Sequence, residues 1–307
     1  MSTQLAAMRA YVGTRPTAAP LPPTSPRPTA AGAAGHVVVF GSGQGGAGTS
    51  VVAALVALAA AGAGRRVLLV DADEHVGPLG HLLGVRPKHA LSALRAGLEP
   101  EALLVPVSET LTLLPGGPAA DDQPLPPAER RALFRRVSAL YADYELVVID
   151  GGSQLDLVCA CCEGAASAAG ATGGGEARLV AVTGVDPISL AATYALVKAA
   201  AARSGVSAAE VLVNRADGDA AAQAFAYADD ASRQFLGRTL HYAGSLPDDG
   251  SLDLALRAGM TLLDAAAGSP AAVAAQELAT RLLRPPGGGA ARPRAGAPPA
   301  ATNRVPR

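Results

Sequence analysis

The sequence predicts an α/β fold in which helices cover both faces of a doubly wound, mostly parallel β-sheet. Short aliphatic and β-branched runs alternate along the chain with longer helical patterns, and most of these runs are apolar at every position. Strands that are buried on both faces have this composition. The first run, HVVVF, leads into the glycine-rich loop GSGQGGAGTS at residues 41–50, which a helical pattern follows. A strand, a glycine loop and a helix in this order are typical of nucleotide-binding α/β domains.

Composition divides the 307-residue chain into four parts. Residues 36–283 contain every acidic residue and all of the alternating patterns, so we expect them to form the folded domain. Residues 14–35 are rich in proline, alanine and threonine and are expected to be a disordered linker. Residues 284–307 are expected to be a disordered basic Pro/Gly tail. Residues 1–13 are a separate short segment ahead of the linker.

The strand and helix patterns follow one another regularly. Strands are predicted at residues 36–40, 65–73, 111–117, 145–150, 177–183, 210–214 and 241–246. Helices are predicted at residues 50–64, 88–97, 127–144, 188–205, 219–236, 251–258 and 269–283. Because crossover helices join parallel strands, this alternation implies a mostly parallel sheet.

Charge is unevenly distributed, although the net charge is only −1. The two ends carry nine arginines without an acid, three before residue 36 and six from Arg281 onward, which leaves about −10 for the middle of the chain. An acidic domain is a poor surface for sequence-independent binding to DNA. The sequence therefore gives no strong nucleic-acid signal.

Membrane and cysteine patterns exclude further classes. The first residues lack the apolar core of a secretory signal, and no stretch has the length and hydropathy of a membrane span, so we expect a cytoplasmic protein. Cys159, Cys161 and Cys162 lie too close together for a disulfide framework and lack a second ligand cluster for zinc. We expect them to be small buried residues.

The glycine loop fits the phosphate-binding pattern GxxxxGK[ST] at every element except the lysine. The pattern places Gly43, Gly48, Thr49 and Ser50 at its fixed positions, so threonine stands in place of lysine. Loop amides and a helix N-terminus direct positive partial charge at a phosphate, and glycines let the main chain approach it. The Ser50 hydroxyl is expected to bind Mg²⁺.

Three carboxylates follow predicted strands: Asp71 and Asp73 at the end of LLVDAD, and Asp150 at the end of LVVID. Carboxyl ends of parallel strands meet at one edge of the sheet, where metal coordination and water positioning occur. Each residue alone is also typical of a helix cap or a solvated strand end. Together, and in this order, they favour a nucleotide site.

These segments resemble the MinD/ParA family of P-loop ATPases, whose deviant Walker A loop reads KGGxGK[ST]. The residues that align with it position by position are Gln44, Gly45, Gly46, Ala47, Gly48, Thr49 and Ser50. Gln44 stands where the family has a signature lysine that reaches across a nucleotide-sandwiched dimer, and Thr49 stands where it has the phosphate-gripping lysine. The resemblance covers about residues 36–283. It implies a P-loop NTPase fold with ATP and Mg²⁺ as ligands, a nucleotide-dependent homodimer, and here a degenerate Walker A loop.

Further segments carry the same resemblance. VDADEHVGPLGHLLGV is similar to the family's switch I, which makes Asp73 the residue that orients the attacking water, and VIDGGSQLD is similar to Walker B and switch II at Asp150. The resemblance implies that Ser50, Asp71 and Asp150 hold Mg²⁺. TGVDPISLAATYALVK is similar to the family's TxPEPxSxxDAYxxxK segment. VLVNR and GSLPDD are similar to the segments that surround adenine, which implies base contacts from Asn214, Arg215, Pro247 and Asp249.

Within the family, the flagellar-number regulators FlhG (also called FleN) carry a DQAxxLR helix before a linker. Residues 3–9, TQLAAMR, are similar, with Gln4 and Arg9 matching and Met8 in place of leucine. This resemblance implies an FlhF-like GTPase as partner. Membrane-binding relatives end in an amphipathic helix, whereas this chain ends in a proline and glycine tail.

The resemblance therefore implies an FlhG-like regulator of flagellar or polar assembly, and the loss of both lysines predicts that it binds ATP with little or no hydrolysis. Without either lysine, Arg65, Arg66 and Arg215 are candidates for a substitute charge. Two alternatives stay open: a pseudo-ATPase scaffold of a pilus-assembly or septum-site system, and an active ATPase in positioning or partition.

Overall fold

The computed structural model describes residues 35–117, 125–172, 177–204, 206 and 209–284. Its sheet has eight strands: β1 (His36–Gly41), β2 (Val67–Asp71), β3 (Val105–Pro106), β4 (Leu111–Leu114), β5 (Leu146–Asp150), β6 (Arg178–Thr183), β7 (Ala209–Asn214) and β8 (His241–Leu246). They lie in the order β3-β4-β2-β5-β1-β6-β7-β8. All pairings are parallel except that of β3 with β4. The predicted doubly wound α/β fold is confirmed.

The strand composition explains this arrangement. β2, β5 and β6 are buried at every position, as strands covered on both faces must be. β3 is only two residues long, ends in Pro106 and pairs with one neighbour. A proline without a backbone N–H is tolerated at such an edge position.

Nine α-helices surround the sheet in the described part of the chain: α1 (Thr49–Gly62), α2 (Pro78–Leu82), α3 (Pro127–Val137), α4 (Leu155–Thr172), α5 (Pro187–Arg203), α6 (Gly218–Leu236), α7 (Gly250–Arg257), α8 (Leu262–Ala265) and α9 (Pro270–Leu282). Three 3₁₀ helices lie at Leu91–Ala96, Pro100–Leu103 and Ser138–Asp143. The apolar core has two layers. One packs α3, α4, α5 and α6 against one face of the sheet, and the other packs α1, α2, α7, α8 and α9 against the opposite face.

Several sequence predictions need correction. The structure has three α-helices where none was predicted, α2, α4 and α8, and an unpredicted two-residue edge strand, β3. The helix predicted at 88–97 is a shorter 3₁₀ helix, and the one predicted at 127–144 is α-helical only to Val137 before a 3₁₀ turn. α4 was missed because it consists largely of alanine, cysteine, glycine and serine, which give little contrast between apolar and polar faces.

The three cysteines are buried on α4, as predicted. Burial raises the pKa of each thiol, most strongly for Cys161, so these side chains stay protonated and act as small apolar groups. No cluster of three or more potential metal-binding His, Cys, Asp or Glu side chains occurs within the described ranges. In the same ranges, no helix has the length and apolar character needed to cross a bilayer.

A buried ion pair joins two strands to the end of the last helix. Arg178 on β6 binds Glu210 on β7 with Nε–Oε1 and Nη2–Oε2 distances of 2.6 and 2.9 Å. The Arg178 guanidinium also donates to the carbonyl oxygens of Leu282 and Arg284 at the C-terminus of α9. Both side chains are less than 10% exposed, so the charges stabilise each other away from water.

Candidate functional site

The glycine loop connects the end of β1 to the start of α1 at the carboxyl edge of the sheet. Gly46 and Gly48 have φ angles of 84° and 86°, which other residues rarely adopt. Gly48 is the N-cap of α1, and no side chain caps this helix. In the described part of the chain, the first main-chain amide of this helix with a hydrogen-bond acceptor is that of Val52, which donates to the carbonyl oxygen of Gly48. The preceding amides are therefore available to an anion.

Close contacts with neighbouring elements fix the loop. A Cβ atom on Gly43 would lie 2.0 Å from the carbonyl oxygen of Ala192 on α5, and one on Gly48 would lie 2.4 Å from Nδ2 of Asn214. The Asn214 amide donates to the carbonyl oxygen of Ala47 at 2.8 Å. The loop is thus packed against α5 and tied to the end of β7, and only glycine fits at these two positions.

Asp71 and Asp150 lie side by side as register partners on β2 and β5. Burial, and secondarily the charge of Asp150, raises the pKa of Asp71 to about 8. Burial likewise raises the pKa of Asp150, which the Ser50 hydroxyl and the Gly152 amide partly oppose. The structure brings these predicted metal ligands together in a site where a divalent cation would offset two buried carboxylates.

The donor set fits a magnesium ion. The Oδ2 atom of Asp150 is buried and has no hydrogen-bond partner with acceptable geometry within the described residues. Buried polar atoms rarely lack partners, so this oxygen has an unused coordination position. Asp71 is less available, because its two oxygens accept from the amides of Asp73 and Leu79. Ser50 and Asp150 are the better candidate ligands.

Asp73 lies beside the glycine loop, in a segment held by contacts with other elements. It lines an open cleft of about 500 Å³ together with loop glycines, Thr49, Ser50 and the chain at 151–154. The following residue, Glu74, binds Arg130 of α3 through two contacts of 2.5 and 2.8 Å and accepts from the Leu125 amide. Both side chains of the pair are nearly buried. The segment that carries Asp73 is therefore held in place by Arg130 and by the main chain at Leu125.

Replacing Arg130 with alanine is expected to loosen residues 73–79. The substitution leaves the Glu74 carboxylate nearly buried without its partner, which should reduce the free energy of unfolding by about 2–3 kcal/mol. Hydrogen exchange of the 73–79 amides should accelerate. Arg131→Ala is the matched control, because that exposed guanidinium lies 3.8 Å from Glu163. Equal exchange in the two variants would contradict the anchoring role.

The positions of the two missing lysines differ in their surroundings. Thr49 is buried at the first turn of α1 and lines the cleft. The Gln44 amide donates to the Ser189 hydroxyl of the same chain at 2.6 Å, and that hydroxyl donates to Asp186 at 2.5 Å. Gln44 stands where the family's signature lysine reaches across a dimer, and here its side-chain amide is bound within its own chain.

The described lining of the cleft contains neither lysine nor arginine, and His81 is its one side chain able to carry positive charge. The arginines considered as substitutes lie elsewhere. Arg65 pairs with Glu145, and Arg66 donates to the Asp143 carbonyl, both at the amino edge of the sheet. Arg215, with φ of 58°, pairs with Asp253. The proposal that one of them replaces the lost charge receives no support.

The predicted base-side residues are not part of the described cleft lining. Asn214 holds the loop, and Pro247 lies at the end of β8. Asp249 caps α7 and accepts hydrogen bonds from Ser251, Leu252, Ser269 and Ala271, the last two at the start of α9. Although burial opposes the effect, these hydrogen bonds lower the pKa of Asp249 well below its usual range. Base contacts remain a prediction.

The predicted partner-binding residues Gln4, Met8 and Arg9 lie outside the described residues. Sequence reasoning also missed three features of the site: the Ser189 hydroxyl, the Glu74–Arg130 pair and the position of His81. The Glu74–Arg130 pair could not be predicted because the two residues are 56 positions apart and each is of a type that usually lies on the surface.

A curated protein is similar to this chain over most of its length. The chain is 28% identical over 261 residues, covering 80% of this chain and 86% of the relative, to the antiactivator FleN of Pseudomonas aeruginosa. No model of a protein family matches the chain.

Solved structures share the fold. The septum site-determining protein MinD from Pyrococcus horikoshii, complexed with Mg-ADP, has a TM-score of 0.62 at 21% identity and covers 80% of this chain and 95% of its own. An ATP complex of a McdA variant from Cyanothece has a TM-score of 0.62 at 18% identity, with coverages of 82% and 97%. The resemblance to the MinD/ParA-type ATPases and to FleN is confirmed.

Proposed function

We propose that this chain, which has the MinD/ParA-type P-loop NTPase fold, is an FlhG-like regulator that binds ATP and Mg²⁺ with little or no hydrolysis. The observation that carries the proposal is a phosphate cradle with its main-chain donors in place but without a lysine or arginine in the described cleft lining. Backbone donors can hold a triphosphate. A missing charged group chiefly weakens stabilisation of the transition state.

Each retained residue has a separate task in this site. Amides of Gly45 to Val51 would hold phosphate oxygens, and Ser50 and Asp150 would hold Mg²⁺. When bound, Mg²⁺ supplies the positive charge that neutralises the phosphates. Asp73 faces the same cleft and would orient a water molecule. Without a cationic side chain, we expect the activation free energy of hydrolysis to be about 3 kcal/mol higher. This lowers turnover roughly a hundredfold.

The similarity to the antiactivator FleN supports a role in flagellar or polar assembly. We further propose that residues 1–13 contact an FlhF-like GTPase and that ATP promotes a homodimer. The scaffold alternative is favoured by one observation: the Gln44 side-chain amide donates to the Ser189 hydroxyl of the same chain.

Restoring both lysines should restore turnover. Calorimetry of the natural chain with ATP and Mg²⁺ should give binding heat, with phosphate release near background. Gln44→Lys with Thr49→Lys should raise phosphate release by about a hundredfold, because an ammonium group at position 49 would then face the phosphates and one at position 44 would stand where the family's signature lysine does.

The matched control is Gln44→Met with Thr49→Met, which provides long side chains without charge. Light scattering on the same samples measures the oligomeric state with and without ATP. Absence of binding heat and of any change in mass would favour the scaffold. Rapid turnover by the natural chain, abolished by Asp73→Ala, would instead establish an active ATPase and refute the proposal.

A further inference from the structure

Helix α6 exposes two aromatic side chains, one of which contacts a half-buried tyrosine of α5. Tyr227 and Phe235 of α6 are 60% and 66% exposed. The Phe235 ring lies edge-on to Tyr194 of α5, with 6.3 Å between ring centroids. The chain has only six tyrosines, four phenylalanines and no tryptophan, so these three residues are a large share of its aromatic surface. We call them the aromatic face. Exposed apolar clusters of this kind mark interaction surfaces.

We propose that the aromatic face binds residues 5–12 of the same chain. In a helical conformation, Leu5, Met8 and Val12 share one face, because they are three and four residues apart. An amphipathic helix binds its partner through its apolar face. Methionine is well suited to contact aromatic rings.

The position of the linker favours this intramolecular contact. Gly35, the first described residue, lies against the carbonyl oxygens of Tyr141 and Tyr144. The side chains of these two tyrosines belong to the core layer that also contains α5 and α6, so the first described residue lies beside a segment of that layer. β1 is also close to β6 and β7, which α5 and α6 follow.

The linker is long enough. A flexible chain of 22 residues, the length of the segment 13–34, would span about 25 Å, and neighbouring strands are about 4.8 Å apart, so this length suffices to reach the aromatic face. Tethering of this length gives an effective concentration in the roughly millimolar range, at which a weak contact is well populated.

Charge also favours this occupant. Residues 1–34 contain three arginines and no acid, and Arg9 lies beside Met8. On α6, the exposed Asp230 follows Tyr227 by three residues and borders the aromatic face. In the described part of the chain, no cation lies within ion-pair distance of Asp230. Arg9 would supply one.

Docking withholds the first residues of the chain from other proteins until the contact opens. The contact requires neither ATP nor Mg²⁺. It is therefore independent of the nucleotide proposal, and either can fail without the other.

A single tryptophan tests the contact, because the natural chain has none. In the full chain carrying Phe235→Trp, tryptophan emission should be blue-shifted and shielded from acrylamide. Adding Leu5→Asp and Met8→Asp should shift the emission to the red and raise the quenching constant severalfold, whereas Met8→Leu should leave it unchanged. Val273→Trp on α9, a 53% exposed position on the opposite face of the sheet, is the control and should respond to none of these changes.

Two outcomes overturn the proposal. Equal quenching with and without the Leu5 and Met8 substitutions would show that residues 5–12 do not cover the aromatic face. Shielding that disappears on dilution and ignores those substitutions would assign the aromatic face to a second copy of the chain.

Discussion

Gly43→Ala is expected to lower the affinity for ATP and Mg²⁺ by about a hundredfold, since binding groups misplaced by about an ångström lose effects of this size. The new Cβ atom would lie 2.0 and 2.1 Å from the carbonyl oxygen and carbon of Ala192. Both are main-chain atoms of α5, so no side-chain rotation relieves the overlap. The loop must move away from α5, and its amides then lose their common direction. Isothermal calorimetry measures the loss.

The matched control is Gly62→Ala at the end of α1. A Cβ atom on Gly62 has nothing within 4 Å, and the residue is helical. This substitution should stabilise the protein by about 0.5–1 kcal/mol and leave nucleotide affinity unchanged. If Gly43→Ala and Gly62→Ala bind ATP alike, close packing of the loop on α5 does not maintain the site.

Arg178→Ala should reduce the free energy of unfolding by about 3–5 kcal/mol. It leaves the Glu210 carboxylate buried without its partner and removes the donors to the last carbonyl groups of α9. Urea denaturation followed by circular dichroism measures the change.

Arg257→Ala supplies the comparison for an exposed pair. Its guanidinium is 77% exposed and contacts Asp253 one turn earlier, so the loss should stay within about 0.5 kcal/mol. Replacing both buried partners, Arg178→Met with Glu210→Leu, should cost less than Arg178→Ala alone, because no unpaired charge remains. A loss below about 1 kcal/mol for Arg178→Ala would show that water reaches Glu210.

The sheet could be predicted from the sequence because strands that are buried on both faces are apolar at nearly every position. β5, for example, is apolar up to Asp150, and its carboxylate lies at the predicted edge. α4 was missed because small side chains suffice where a helix packs closely against the sheet and its neighbours; a Cβ on Gly164 would lie 2.9 Å from Phe134. Helical periodicity is weak in such a segment.

The site was predictable where it depends on the order of the chain, and not where it depends on contacts between distant segments. Gly48 and Ser50 follow from the loop pattern, whereas the hydrogen bond from Gln44 to Ser189 joins positions 145 residues apart. Polar residues such as these could equally have faced solvent. Tertiary packing, which the sequence pattern does not give, determines the hydrogen-bond partner of each one.

Asp249 joins the N-termini of two helices, because its one carboxylate accepts hydrogen bonds from the beginning of α7 and from the beginning of α9. Altering it would disturb both helices at once. Weaker ATP binding in an Asp249 variant would therefore result from displaced helices as readily as from a lost contact to the base. A melting curve of that variant must accompany any affinity measurement.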